Sequence, residues 1–300
     1  MRKSVVNLAV LALMFGIGAL ALHSQEAEVG PLTIWVEKQY SSWDNPLQSE
    51  FSINGKMVNI YSASTFETVQ EHFKPGWNTV TVKTTPQEPA SKSNGLIFRL
   101  GPATKQDRGA KMTMDPVLWK FVNNTDWKFA NSAYSHPLGP NVKEVTLTYN
   151  LYYAGMAYEN QQLKAGDFVL AAKPTYASWN SPVTATLYVN GTPLNSFTLA
   201  ERQLVITPLL KQGKNEIKLI SHRVKNSIAD NDVEFRILGP AEWNVSQGRF
   251  VLTPVIQFKA KQGWTLDSKS GMLINPLKPD SETIERVIPF VLKEAPKAGS

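Results

Sequence analysis

Short stretches in which apolar and polar residues alternate recur along most of this chain. At positions 46–54, Leu47, Phe51 and Ile53 fall on one side of an extended segment, whereas Gln48 falls on the other. Alternation with a period of two is typical of a β-strand that buries one face. We therefore predict a half-buried strand here.

The same pattern recurs about 136 residues later. A half-buried strand is predicted again at positions 182–190. A period this long is the length of a domain, because solenoid repeats run about 20–50 residues. We predict that the two copies share one fold and superpose. The matched motifs include Ser42-Trp43 with Ser178-Trp179, Asn54-Gly55 with Asn190-Gly191, and Leu100-Gly101-Pro102 with Leu238-Gly239-Pro240.

The remaining elements also read as short strands. Each Asn-Gly pair accepts positive φ at both positions, which predicts a type I′ hairpin turn. No long pattern with the 3.6-residue period of a helix follows residue 24, so we expect an antiparallel all-β sandwich. Further strands are predicted at 95–100 and 233–238, each closed by Gly-Pro, and at 112–121, 250–258, 145–153 and 284–292.

The N-terminus predicts export. Arg2 and Lys3 precede an apolar run, and Ala19-Leu20-Ala21 has the form of a cleavage site. We interpret residues 1–24 as a secretory signal peptide, with an uncleaved membrane anchor as the alternative. The expected location is the periplasm or the exterior of a bacterial cell, with no stable membrane span after cleavage. The expected domains are residues 25–157 and 158–300.

Two segments of the second copy carry a family resemblance. They are residues 185–194, Ala-Thr-Leu-Tyr-Val-Asn-Gly-Thr-Pro-Leu, and residues 205–219, with the turn Lys-Gln-Gly-Lys-Asn. The frame recurs at 51–55 and 73–82. It resembles the galactose-binding-like jelly-roll of carbohydrate-binding modules and of the non-catalytic front domains of β-galactosidase-type glycoside hydrolases. The resemblance implies two tandem jelly-roll-like domains from an internal duplication, and it implies binding more often than catalysis.

The tryptophans divide into two groups. Trp43 and Trp179 occupy matching places, as do Trp127 and Trp264, so we expect these four rings to be buried and structural. Trp77 has no matching tryptophan and sits in a Pro-Gly-Trp-Asn turn, where burial is difficult. We predict that Trp77 contacts a sugar or a partner, with packing against its own sheet edge as the alternative.

Charge separates the two copies. Residues 25–160 carry 12 Lys/Arg and 13 Asp/Glu, whereas residues 161–300 carry 17 and 12. Lys214, Lys218 and Arg223 lie within the excess, and they are candidate contacts for an anionic ligand such as an acidic polysaccharide. The alternative is an ordinary solvated strand face. Because the protein is expected to be exported, we do not expect a nucleic-acid partner.

Other chemistry is sparse. Asp230 and Asp232 alternate in an oxygen-rich loop that could hold a structural calcium ion or form a simple turn. The chain has no cysteine, which excludes disulfides, thiolate metal sites and a cysteine nucleophile. No nucleophile elbow, zinc-protease motif or phosphate-binding glycine loop is present. We expect no other cofactor and no enzymatic activity.

The sequence therefore predicts an exported, non-catalytic binding protein that engages glycans through loops and exposed aromatic rings. The alternative is a structural or assembly subunit of the cell envelope or surface with a protein partner. A third hypothesis is a glycoside hydrolase with its site between the copies, where two carboxylates would flank a sugar bond.

Overall fold

The computed structural model describes residues 30–87, 93–105, 112–159, 161–177, 179–294 and 296. Over these residues the chain is all-β, with antiparallel strands and two single-turn 3₁₀ helices. Neither of these described helices has the length or apolar character needed to cross a bilayer. The predicted signal peptide, residues 1–24, lies outside the described residues.

We refer to the described residues of 30–157 as the N-terminal half and to those of 158–294 as the C-terminal half; Tyr158 packs against the core of the latter. The N-terminal strands are β1 (Leu32–Lys38), β2 (Leu47–Ile53), β3 (Lys56–Tyr61), β4 (Thr65–Thr68), β5 (Gly76–Pro86), β6 (Leu96–Lys105), β7 (Met112–Met114), β8 (Trp119–Val122), β9 (Lys128–Ala130), β10 (Ala133–Ser135) and β11 (Val145–Tyr153), with a 3₁₀ helix at Gln70–His72.

The strands of the C-terminal half form a series that corresponds to the first. They are β12 (Val169–Pro174), β13 (Val183–Val189), β14 (Thr192–Pro193), β15 (Arg202–Val205), β16 (Gly213–Arg223), β17 (Val233–Asn244), β18 (Arg249–Lys259), β19 (Thr265–Leu266), β20 (Leu273–Ile274) and β21 (Thr283–Leu292), with a 3₁₀ helix at Thr207–Leu209.

The two halves share one strand order. One N-terminal sheet runs β4-β1-β6-β7, with β8 also paired to β6, and its counterpart runs β15-β12-β17-β18. The other N-terminal sheet runs β11-β5-β2-β3, and its counterpart runs β21-β16-β13-β14. The main-sheet strands of the second series thus occupy the places of the corresponding strands in the first.

Each half has its own apolar core between its two main sheets. In the N-terminal half, Ile34 and Phe98 from one sheet meet Phe51 from the other. In the C-terminal half, Phe235 and Leu187 come from facing sheets in the same way. The alternation read from the sequence places these side chains inward, which gives each half a sandwich-like arrangement.

The two Asn-Gly turns have the predicted geometry. Asn54 and Gly55 have φ of 52° and 77°, and Asn190 and Gly191 have φ of 47° and 86°. Positive φ at both central positions is what a type I′ turn requires, and its twist matches the twist of the flanking strands. The turns join β2 to β3 and β13 to β14.

A side-chain amide bonds each Asn-Gly turn to the turn that precedes β5 or β16. Asn215 donates from Nδ2 to the carbonyl oxygens of Lys211 (2.7 Å) and Gly213 (3.0 Å), and its Oδ1 accepts from Asn190 Nδ2 (2.8 Å). Asn78 makes the matching bonds in the N-terminal half. This buried network replaces backbone pairing where the chain reverses.

Some strands differ from the prediction. The Gly-Pro pairs do not close β6 and β17, which continue to Lys105 and Asn244. In β17 the ladder shifts register between Leu238 and Ala241, so the proline sits at a bulge and the strand resumes beyond it. The single strand predicted at 112–121 is two strands, β7 and β8, and the small pairs β9–β10 and β19–β20 were not predicted.

The halves meet through polar contacts that bury both faces of β13. Asn180 donates from Nδ2 to the carbonyl oxygen of Val122 (2.8 Å) and accepts from the same residue's N–H (2.9 Å). Thr184, at 1% exposure, donates to the carbonyl oxygen of Asn150 (2.8 Å). Thr186 is fully buried. The prediction of a half-buried strand at 182–190 is therefore wrong, because Asn150 of the N-terminal half contacts Thr184 and Ser196 contacts Thr186.

A buried ion pair lies where the chain enters the C-terminal half. Glu159 and Arg202 pair with both side chains about 2% exposed. Burial lowers the pKa of Arg202, and the charge of Glu159 opposes that shift. Asn195 also donates to Glu159. These contacts fix residue 159 to the C-terminal half; the predicted boundary between residues 157 and 158 stays a prediction.

Replacing the buried turn amide should destabilise the fold. We expect Asn215→Ala to lower the free energy of unfolding by about 2–4 kcal/mol, because several buried backbone groups lose their partner. Urea unfolding followed by circular dichroism measures this change. Glu216→Ala is the matched control, since its side chain is exposed. Equal unfolding midpoints for the two variants would contradict the role given to Asn215.

Candidate functional site

Two matching loops present aromatic side chains to solvent. The loop from β1 to β2 carries Tyr40 and Trp43, and the loop from β12 to β13 carries Tyr176 and Trp179. The ring centroids are 4.5 Å apart in the first pair and 5.1 Å apart in the second, with interplanar angles of 36° and 38°. Tyr40 is 53% exposed, Tyr176 52% and Trp179 49%, whereas Trp43 is half-buried.

A buried asparagine fixes the backbone of each loop. In the second loop Asn231 donates from Nδ2 to the carbonyl oxygens of Tyr176 and Trp179, both at 2.7 Å, and accepts from the N–H of Tyr176 (2.9 Å). Asn94 makes the same three contacts in the first loop at 3.1–3.2 Å. Since the asparagine amide holds the loop backbone, the loop conformation does not depend on the aromatic rings.

The burial predicted for the matched tryptophans holds for one pair only. Trp127 and Trp264 are 8% and 9% exposed, and Trp264 donates from Nε1 to Ser221 Oγ (2.9 Å). The prediction is wrong for Trp179, and Trp43 is only partly buried. The two loops share their asparagine contacts, and their tryptophan rings are at least partly in solvent.

The second loop lies against the N-terminal half. Lys120 on β8 donates from Nζ to the carbonyl oxygen of Ala177 (3.0 Å), which stands between the two aromatic residues. Burial lowers the pKa of Lys120, and the nearby charge of Arg99 lowers it further. A cationic group therefore adjoins the backbone of the Tyr176–Trp179 loop.

Trp77 lies at the junction of the halves rather than in these loops. Its ring is 37% exposed and meets the rings of Tyr152 and His222 edge-on, at 5.3 Å and 4.7 Å. His222 belongs to the C-terminal half, where burial lowers its pKa. The ring therefore contacts both halves as well as solvent.

The candidate basic residues have different surroundings. Lys214 is exposed and lines an open cavity of about 710 Å³ together with Lys211. Lys218 pairs with Glu285 (3.2 Å) and Arg223 pairs with a glutamate (3.5 Å). Ion pairing neutralises Lys218 and Arg223, whereas Lys211 and Lys214 keep charge available to an anionic ligand.

The two candidate calcium ligands are engaged by protein groups. Asp230 pairs with Lys261, and Asp232 accepts from the N–H groups of Val233 (2.8 Å) and Lys261 (2.9 Å). Burial raises the pKa of Asp232. Among the described residues, no group of three or more His, Asp or Glu side chains could hold a metal ion. A calcium role for the pair stays a prediction.

No protein-family model, curated protein or solved structure matches this chain. The resemblance to galactose-binding-like domains therefore remains an expectation from the sequence.

Sequence reasoning missed the tyrosines and the asparagines of the aromatic loops. The signal was present, because Tyr40 stands three residues before Trp43 just as Tyr176 stands three residues before Trp179. Asn94 and Asn231 are about 50 residues away from the loops that they hold. Only the fold brings each amide to its loop.

The exposure of Trp179 predicts a small effect on stability. We expect Trp179→Ala to change the free energy of unfolding by about 1 kcal/mol or less, as is usual for surface positions. The matched control Trp264→Ala should cost about 3–5 kcal/mol because it empties a buried site. Urea unfolding measures both. If Trp179→Ala lowered the free energy of unfolding as much as Trp264→Ala, the Trp179 ring would be needed to hold the loop.

Charge availability predicts which lysines bind anionic polymers. The double variant Lys211→Gln/Lys214→Gln should elute from heparin at lower salt than Lys218→Gln/Arg223→Gln, although both variants lose the same charge. In the second variant the lost groups were already paired, and exposed charges are screened over about 8 Å at physiological ionic strength. Equal shifts in elution salt would contradict this assignment.

Proposed function

We propose that this protein is an exported, non-catalytic binding protein that engages glycans through its two exposed aromatic loops. The observation that carries the proposal is the repeated pair, Tyr40 with Trp43 and Tyr176 with Trp179, each held by a buried asparagine. We also propose that the two halves are tandem jelly-roll-like domains from an internal duplication. The shared strand order and the shared amide network support that origin.

Sugar rings suit such surfaces. A pyranose presents C–H groups on one face and hydroxyl groups at its rim. An indole or phenol ring covers the C–H face and removes apolar area from water, while its polar atom or the adjacent backbone bonds a hydroxyl. The rings of each pair have centroids 4.5–5.1 Å apart, so each pair forms one compact apolar surface against which a sugar unit could rest.

The rigid loops favour binding further. A loop that is already fixed loses little conformational entropy when a ligand arrives, so more of the contact energy appears as affinity. Asn94 and Asn231, at 0% and 1% exposure, hold the loops without help from a ligand. The proposal therefore assigns binding to a preformed surface and assigns no catalytic residue.

Export rests on the sequence at the N-terminus, where Arg2 and Lys3 precede an apolar run. It places the binding surface in the periplasm or outside a bacterial cell, where polysaccharides are abundant ligands. The second candidate function is a structural or assembly subunit of the envelope. The exposed side chains of Val287 and Val291 on the edge strand β21 favour that candidate.

The glycan proposal predicts a defined mutational pattern. Wild-type protein should retain specific oligosaccharides on a glycan array. Calorimetry with the best of them should show Tyr176→Ala and Trp179→Ala weakening binding at least about tenfold, which is about 1.4 kcal/mol for each change. Tyr40→Ala tests the first loop in the same way.

The matched control is Trp243→Ala. Trp243 is 53% exposed, like Trp179, but it lies on the hairpin of β17 and β18, outside both aromatic loops. Its replacement should leave binding unchanged. An array without any specific signal, or an equal loss of affinity in the Trp243 variant, would reject the glycan proposal.

A further inference from the structure

The junction between the halves buries a row of polar residues on the C-terminal half. All five of them are 3% exposed or less, although their side chains lie on the outer side of a sheet or in its adjoining loops. The N-terminal half supplies at least one hydrogen-bond partner to each of them. The row consists of Asn180, Thr184, Asn195, Ser196 and Thr198.

The covering element is the edge strand β11. Tyr152 donates its N–H to Ser196 Oγ (2.7 Å), and its carbonyl oxygen accepts from the N–H of Ser196 (3.0 Å). The carbonyl oxygen of Asn150 accepts from Thr184 Oγ1 (2.8 Å). The unpaired edge of β11 is thus satisfied by the other half, which is how folded proteins protect a strand edge.

Strand β21 occupies the place of β11 in the C-terminal half, and its edge is open. Val291 lies opposite Lys214 on β16, just as Tyr152 lies opposite Trp77 on β5. Val287 is 60% exposed and Val291 is 65% exposed. In the part of the chain that the structure describes, no group bonds the outer edge of β21 between residues 285 and 291.

The N-terminal half carries the counterpart of the covered row, and there it is uncovered. Ile60 stands at the place of Ser196 and is 45% exposed. The other counterparts are polar, and each has its side chain at least partly in solvent. In the order of the covered row, the five residues are Asp44, Gln48, Asn59, Ile60 and Ser62.

We propose that copies of this chain associate head to tail, with β21 of one copy against the outer face of β2 and β3 in the next. The contact would repeat the junction inside the chain. At the place of the Tyr152–Ser196 contact, Val291 would meet Ile60, so two exposed apolar side chains would be buried together. This proposal is independent of the glycan proposal.

Charge is complementary across the proposed contact. Asp44 stands at the place of Asn180, and Lys259 stands at the place of Val122, so an exposed carboxylate would face an exposed lysine. Residues 161–300 carry five more basic than acidic residues, whereas residues 25–160 carry one more acidic than basic residue. Copies meeting in this polarity attract, whereas two C-terminal halves repel each other.

The contact joins two different surfaces, so it does not close on itself as a symmetric dimer does. Heterologous contacts generate rings or open filaments. Sedimentation velocity from about 1 µM to about 500 µM should therefore show a series of species that grows with concentration. The protein is expressed from the full sequence and purified in the form that the cell accumulates.

Val287→Glu and Val291→Glu should each reduce the association constant at least about tenfold, because a carboxylate would be buried in the contact. The matched control is Val245→Glu, which places the same charge at a position 85% exposed on the hairpin of β17 and β18. This control should assemble like the wild type. Thermal unfolding of each variant verifies its fold.

A mixing experiment tests the polarity directly. Ile60→Glu removes the receiving face and leaves β21 intact, whereas Val291→Glu does the opposite. Each variant alone should stay monomeric, and an equimolar mixture should form one-to-one dimers and nothing larger. A wild-type protein that is monomeric at every concentration, one that stops at a dimer, or a mixture that forms no dimer would overturn the proposal. So would retention of a different protein on β21 in place of a second copy.

Discussion

A buried amide must have all its hydrogen bonds satisfied by the fold, and this constraint shapes both halves of the molecule. Asn94 and Asn231 lie beneath the aromatic loops with almost no exposure, and Asn78 and Asn215 lie beneath the strand-connecting turns. Leaving such a group unpaired costs more than a single hydrogen bond contributes, so the loop backbones must curl around the amides. The loop shapes therefore follow from the interior.

This constraint separates the shape of a loop from the role of its side chains. The backbone around Tyr176 and Trp179 is held from below, and the rings contribute little to holding it. They remain about half exposed and lie next to each other, and adjacent exposed apolar groups are typical of an interaction site. A rigid aromatic surface of this kind suits a ligand with apolar faces, and it is the physical basis of the binding proposal.

Matching positions of the two halves differ in burial. Thr184 and Ser196 are buried because β11 crosses them, whereas Gln48 and Ile60 hold the same places in the N-terminal half and reach solvent. One junction of this kind therefore lies inside the chain. The two matching surfaces, the edge of β21 and the outer face of β2 and β3, are left uncovered. A repeated unit that packs head to tail has this property by geometry, whatever its ligand.

The sequence by itself determined many of the strands, both Asn-Gly turns and the matched series of motifs in the two halves. Alternation over Leu47–Ile53 and the positive φ that Asn-Gly accepts are local properties, and local properties can be read along a chain. The charge difference between residues 25–160 and 161–300 was also readable from composition, whereas the export that the N-terminus predicts stays a prediction. The ligand class, by contrast, remains a proposal, because loops vary independently of the strands that carry them.

Only the tertiary structure decided which residues are buried. Thr186 looked like the wet face of a strand and is fully buried, whereas Trp179 looked like core and is half exposed. Thr186 bonds Ser196, a residue that the distant strand β11 also bonds, and Asn231 holds the tryptophan loop from more than 50 residues away. Burial is a property of what packs on a surface, and the local pattern of a chain reports only which way each side chain points.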